Sequence, residues 1–326
     1  MWDALFIDPA MLATMPQECG GPAMIVDLAA MPDDAAISRL PTCPVIGVGD
    51  PVHRLARQMD VVVERPVTLD SLMHSIAANP VAAAVAVHLL RTIEGRPIEA
   101  ALIQESLAYA VLQGGAEHMV WLEARSSGDT AQPGEVRLTR EGDGLAILLD
   151  RPNARNAVDR PMRDALHEAF MLATLDPDIQ RVTLRGAGRA FCVGADLGEF
   201  GTTRDPAAAH MIRMQTLPAW AIIGCRDRLS VHVQGACVGA GLEMAAFAAR
   251  VTAGADAWFQ LPELAMGLLP GAGGCVSVSR RIGRQRAALM ILSGRRISAA
   301  TALSWGLIDA IVDEAPGDQG GPNIPG

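Results

Sequence analysis

In Leu229–Glu243, LSVHVQGACVGAGLE, alternating apolar residues give way to small ones. The stretch reads as a short strand (Leu229–Val233), a glycine-broken turn, and a helix that runs on towards Arg250 as MAAFAAR. Gly239 and Gly241 flank Ala240, so the backbone can turn sharply and nothing bulky covers the Ala240 amide. The first amides of a helix have no partner within it, and the dipole favours negative charge in front of them. Such a turn suits a developing oxyanion. Glu243 follows within the first helical turn, where its carboxylate can face the same space.

Two further stretches share this character. Arg189–Asp196, RAFCVGAD, is a second small-residue turn, with Ala195 after Gly194, and it follows the strand-like run RVTLRG. Phe259–Gly274, FQLPELAMGLLPGAGG, carries a second glutamate, Glu263, directly after Pro262. Proline with an acid beside it makes a good helix opening. Taken singly, each glycine turn reads as a tight turn, and a first-turn glutamate reads as a partner of the helix dipole. Their joint occurrence in order carries the argument.

With the loop RPNARNAVD (Arg151–Asp159) before them and SWGLIDAIVDE after them, these stretches resemble the enoyl-CoA hydratase/isomerase, or crotonase, family. The resemblance covers roughly residues 135–313. It implies an α/β fold in which repeated ββα units build a spiral. It also implies an oxyanion hole from the backbone amides of Ala195 and Ala240, and catalysis by Glu243 and Glu263. A coenzyme A site is implied around Arg151, Ala154, Arg155, Ala157, Gly194 and Asp196. Arg151 and Arg155 are the candidates there for phosphate contact, and Asp196 is expected to shape its turn. Coenzyme A would enter as part of the substrate, with no separate cofactor and no metal. The family also implies a homo-oligomer, a trimer or hexamer.

Composition narrows the alternatives. The net charge of −9 argues against a nucleic-acid surface, although a few local arginines suffice for a phosphate-bearing small ligand. The chain contains no lysine, which excludes Schiff-base chemistry and the phosphate-loop lysine. Its one tyrosine, Tyr109, lies far along the sequence from the motifs. Cys19, Cys43, Cys192, Cys225, Cys237 and Cys275 are scattered with no CxxC pair, and read as buried free thiols. The first residues mix acids and prolines instead of forming a signal peptide, and no apolar stretch is clean enough to span a bilayer. A soluble cytoplasmic protein without membrane partners is expected.

Residues 1–125 are expected to form a smaller mixed α/β domain. Strands are predicted at AMIVDLA, PVIGVG and VVVERP, then a helical pattern over Thr68–Arg91 interrupted at Pro80, then a helix over Pro97–Gln113. Gly47-Val48-Gly49 lacks the third glycine of a dinucleotide fingerprint. His74, His88 and His118 are isolated and read as structural. Residues 126–135 form the linker, 136–314 the catalytic domain, and 315–326 a disordered tail. Family members usually continue into helices that cover the active site and help build trimers, so helices within 68–113 are expected to take over covering or assembly. Asp159 is expected to cap a helix burying Met162, Leu166, Ala169, Phe170 and Ala173. Phe200, Met211, Met214, Leu217 and Trp220 either line an acyl pocket or belong to the core.

The activity these residues point to is hydration of trans-2-enoyl-CoA to 3-hydroxyacyl-CoA. A double-bond isomerase or another coenzyme A thioester lyase would use the same oxyanion hole. The third alternative is a non-catalytic acyl-CoA-binding or assembly relative.

Overall fold

The computed structural model describes residues 2–14, 19–125 and 132–312. The core of the expected linker and the whole expected tail lie outside the described residues. In chain order, β1 (Met24–Asp27), β2 (Val45–Val48) and β3 (Val61–Val62) precede α1 (Leu69–Ala78), α2 (Pro80–Ile93), α3 (Ile98–Gln113) and α4 (Ala116–Ala124). Then come β4 (Glu135–Glu141), β5 (Gly144–Asp150), α5 (Arg160–Leu175), β6 (Arg181–Gly186), α6 (Pro206–Thr216) and α7 (Pro218–Cys225). They are followed by β7 (Leu229–Val233), β8 (Ala236–Val238), α8 (Ala240–Ala245), β9 (Arg250–Ala253) and β10 (Trp258–Gln260). The described chain closes with α9 (Gly274–Ile282), α10 (Arg284–Ser293), β11 (Ile297–Ser298), α11 (Ala299–Trp305) and β12 (Ala310–Ile311).

These elements form two compact units that do not follow the linear order. One comprises Met1–Asp129, Leu197–Gln215 and Gln260–Arg296; the other Thr130–Asp196, Thr216–Phe259 and Ile297–Gly326. The first unit therefore combines the N-terminal region with two stretches from inside 136–314.

In the first unit, β1, β2 and β3 lie side by side, β1 parallel to β2 and β2 to β3. Thr68 and Ser71 form a reciprocal cap on α1, which buries Leu72, Met73 and Ile76. The helix stops at Asn79 because a residue before proline is pushed out of the helical region, and Pro80 opens α2 instead. The axes of the two helices differ by 107°. Among the described residues no single helix is long and apolar enough to cross a membrane; only this bent pair passes together. Helix α10 is buried on all sides from Ala287 to Ser293, packed by α1, α2 and α9, as an apolar interior helix should be. Its N-terminal end is tied by charge. Asp60, 1% exposed, accepts Arg91 Nε at 2.8 Å and the Val45 amide at 2.9 Å, with Arg284 at 3.4 Å.

One expectation is corrected here. Cys19 and Cys43 are joined in a disulfide with Cα atoms 6.1 Å apart, whereas Cys192, Cys225, Cys237 and Cys275 are buried free thiols. A bridge closing 24 residues of sequence leaves no spacing signature of the CxxC kind, so it was invisible in the sequence.

The second unit is built on a six-stranded sheet of order β12-β9-β7-β6-β5-β4, parallel except for the β4–β5 hairpin. Leu145, Ile147 and Leu149 on β5 and Val182 and Leu184 on β6 are buried, at the alternate positions of half-covered strands. Asp159 accepts the Met162 amide at 3.0 Å, and all five apolar residues expected on α5 are buried. The stretch Gln234–Val238 differs from its reading as a plain turn: it contains β8, a short strand in a second sheet of order β11-β10-β8.

Candidate active site

The two glycine turns of the second unit are neighbours. Cys192 and Cys237 form a parallel bridge, with Cys192 N donating to Ala236 O (3.1 Å) and Val238 N to Cys192 O (2.9 Å). That pairing sets Gly194–Ala195 beside Gly239–Ala240. A Cβ on Gly194 would lie 3.2 Å from Val238 O and 3.7 Å from the Ala240 amide nitrogen. Gly194 (φ +98°) and Gly239 (φ +48°) both occupy backbone conformations that other L-residues rarely adopt. At Gly194 conformation and proximity both require glycine, and at Gly239 conformation does.

The hydrogen bonds around these turns leave two donors over. Val158 N donates to Gly194 O and Asp196 N to Val158 O, both at 2.8 Å, so the Ala195 amide between them points away from that ladder. Ala240 is the first residue of α8, where intrahelical acceptors are lacking. Among the described residues neither amide has an acceptor. Ala195 is exposed and Ala240 half-buried. Two small residues thus present uncommitted amides on adjacent turns, which is the arrangement an oxyanion needs.

Glu243 sits behind the second turn. It is 2% exposed, and its amide closes the first turn of α8 on Gly239 O at 2.9 Å. Burial pushes the Cys192 thiol up to about 12, against a hydrogen bond at the Gly194 backbone and with a smaller contribution from Glu243 in the same direction. A thiol held this far up is no nucleophile at neutral pH. Cys237 is raised as well, first by burial and then by Cys192.

The loop Arg151–Asp159 is folded by its own polar groups. Asn156, fully buried, accepts the Arg151 amide at 2.9 Å and donates to Ala187 O and Ala190 O, both at 2.9 Å. Arg155 and Asn156 both have positive φ, so the chain reverses there. Arg151 departs from its expected role. Its guanidinium is buried and already occupied by Gln132 O at 2.7 Å, Ala157 O at 2.9 Å and Asp196 Oδ2 at 2.7 Å, with Asp159 at 3.5 Å. It staples the loop to the Ala195 turn, and Asp196 is the other half of that staple. Arg155 is the opposite case: exposed, with no side-chain partner among the described residues. Ala154 and Ala157 are half-buried in the same loop, and Ala157 O is one of the acceptors of Arg151.

Glu263 belongs to the other compact unit. It opens the 3-10 helix Glu263–Met266 directly after Pro262, is half-buried, and accepts the Leu268 amide on its carbonyl at 3.1 Å. Phe200 proves to be packed in that same unit, its ring 5.7 Å from Trp121 and 6.4 Å from His118. Tyr109, distant from the motifs in sequence, comes next to one of them in space. Its ring occupies the space a Cβ on Gly271 would take, 2.3 Å from Cδ2, so a residue 162 positions earlier in sequence touches the Phe259–Gly274 motif. Neither Tyr109 nor Glu105, which binds the Gly273 and Cys275 amides at 2.7 and 2.8 Å, carries a local sequence signal. Only the unusual burial of a glutamate marks the latter, and burial is not legible in a helix that is apolar all round.

Comparison with known proteins agrees with the motifs. The enoyl-CoA hydratase/isomerase family model matches residues 141–316. A mevalonyl-coenzyme A hydratase from Beauveria bassiana is 36% identical over 52% of this chain and 64% of its own length. The 2,3-dehydroadipyl-CoA hydratase of Escherichia coli is 34% identical over 54% of this chain and 69% of its own. This chain therefore spans only about two thirds of these relatives' length. The crystal structure of an enoyl-CoA hydratase from Thermoplasma volcanium matches with a TM-score of 0.51 at 33% identity, covering 55% of this chain and 72% of that one. Residues 1–125 lie outside the family match. From about Glu141 onwards, this chain belongs to the enoyl-CoA hydratase/isomerase family.

Proposed function

We propose that this protein hydrates trans-2-enoyl-CoA thioesters to 3-hydroxyacyl-CoA, with the amides of Ala195 and Ala240 holding the thioester oxygen. The single observation that carries the reading is that pair of uncommitted amides on adjacent glycine turns, with Glu243 in the first turn behind one of them. Negative charge builds on the thioester oxygen when water adds to the β-carbon. Each donor aimed at that oxygen contributes about 10²- to 10³-fold in rate.

The proton transfers fall to Glu243 and Glu263. As the water oxygen bonds to C3 and the C2=C3 π pair moves onto the thioester as an enolate, one carboxylate takes a water proton. The other, protonated, delivers its proton to C2, and the thioester C=O re-forms. Proton exchange with solvent then resets the pair. Arg155, with its exposed guanidinium, is the phosphate contact in this reading, and Arg151 holds the loop that presents it. The hydratase names of the two curated relatives support the reaction class and leave the acyl group open.

Loss of conjugated-thioester absorbance from crotonyl-CoA and longer trans-2-enoyl-CoAs, followed for wild type beside Glu243→Gln and Glu263→Gln, tests the proposal. Each substitution should cost about 10²- to 10⁴-fold, the contribution of one general acid or base. A 3-enoyl product, or one variant retaining most of the activity, would replace hydration by double-bond migration, which needs a single proton shuttle. Binding without turnover in wild type would replace it by an acyl-CoA-binding role.

A further inference from the structure

The segment carrying Glu263 is poorly equipped to hold itself. A one-turn 3-10 helix is followed by Gly267, Pro270, Gly271 and Gly273 before α9 begins at Gly274, and glycine loses more conformational freedom on ordering than any other residue. Leu264, Leu268 and Leu269 anchor it in the core of the same compact unit, and the N-terminal helices α3 and α4 grip its main chain from either end. At one end, α4 lies so close that a Cβ on Gly267 would be 2.6 Å from His118 N, and His118 Nδ1–H donates to Met266 O at 2.9 Å. At the other end, α3 supplies Glu105, 1% exposed, whose two carboxylate oxygens accept the Gly273 and Cys275 amides at 2.7 and 2.8 Å. A carboxylate at a helix start satisfies orphan donors and faces the positive end of the dipole. One helical turn further on, the Tyr109 ring fills the place beside Gly271, with the Arg213 guanidinium 4.6 Å from its centroid.

We infer that Glu105, Tyr109 and His118 are positioning residues for Glu263, so that helices α3 and α4 are working parts of the catalytic machinery. The inference rests on the hydration reading for the role of Glu263, but not for the grip on its segment. His118 is suited to its part, because burial lowers its pKa and keeps the ring neutral, with Nδ1–H aimed at a carbonyl. Its ring is stacked on Trp121 at 5.5 Å, which fixes the direction of that donor. Glu117 on the same helix accepts the Val81 and Ala82 amides at 2.8 and 2.9 Å, tying α4 to the start of α2.

The test compares Glu105→Ala and Glu105→Gln, and Tyr109→Ala and Tyr109→Phe, with wild type in the full chain. A displacement of about an ångström can cost on the order of 10²-fold without touching binding. The alanine variants should therefore lose 10- to 100-fold in kcat, with KM changed less than about threefold and a larger solvent deuterium isotope effect as proton delivery to C2 becomes limiting. Glu105→Gln, which keeps one acceptor oxygen, and Tyr109→Phe, which keeps the ring, should recover most of the loss. Hydrogen exchange read on peptides covering residues 263–275 should rise in both alanine variants. Unchanged exchange there, or kcat per folded molecule within twofold of wild type, overturns the inference. A wild type that does not turn over sinks the hydration reading instead, and the exchange measurement still decides whether these residues hold the segment.

Discussion

The two carboxylate-bearing regions of this molecule are held in opposite ways. Around Glu243 the structure is made by backbone: two glycine turns, a parallel bridge between Cys192 and Cys237, and the first turn of a helix. Around Glu263 it is made by side chains reaching in from α3 and α4, with glycines accepting their approach. The first kind of site demands particular residues at particular local spacings. The second demands only that a distant helix carry a carboxylate, a ring and an imidazole in the right places.

That difference explains what could be read from the sequence. VGAD and VGAGLE are legible because only small residues permit adjacent turns, and the Asp159 cap and the stripe on α5 are legible because capping and helical period are local. Glu105 and Tyr109 were not, since the spacing within α3 says nothing about what the helix meets 160 residues later. The partners of Arg151 were not legible for a related reason. An arginine in a loop suggests an anion, and only the structure shows two carboxylates and two carbonyls already there. The Cys19–Cys43 bridge is the same lesson in covalent form.

The largest effect is expected at the backbone-built region. Gly194→Ala forces a Cβ to 3.2 Å from Val238 O at φ +98°, at a strain cost of about 1–3 kcal/mol. It displaces the Ala195 amide, so kcat should fall on the order of 10²-fold, with KM for the thioester nearly unchanged. Full activity in a folded Gly194→Ala protein would show that the turns are scaffolding.

Arg151→Met tests whether that region is held by its staple. It strands the Asp159 carboxylate, 7% exposed, inside the loop and should cost about 3 kcal/mol of stability in urea unfolding. Arg155→Ala should leave stability untouched and raise KM for acyl-CoA several-fold, about 1 kcal/mol, the worth of one exposed ion contact. If the two variants exchange these phenotypes, the assignment of loop staple and phosphate contact is reversed.

The smallest expected effect concerns the buried thiol of Cys192, which sits between the two turns at the bridge to Cys237. Its thiol stays protonated up to about 12 in the folded protein, whereas the unfolded thiol ionises near 9.0. The folded state then binds the extra proton between these values, so stability falls as pH rises through that window and is unaffected below it. Iodoacetamide at mildly alkaline pH should leave Cys192 unlabelled until denaturant is added; rapid labelling of the native protein would mean the turn is open.

The central claim is that Ala195 and Ala240 grip a thioester oxygen, and it is tested most directly by the carbonyl stretch of bound butyryl-CoA, labelled with carbon-13 at the carbonyl, in infrared difference spectra. Butyryl-CoA has no double bond to hydrate, so the bound state persists. The band should be displaced to lower frequency in wild type and restored towards the free value in Gly194→Ala. A band at the free-solution frequency in wild type, with binding established by calorimetry, would contradict it.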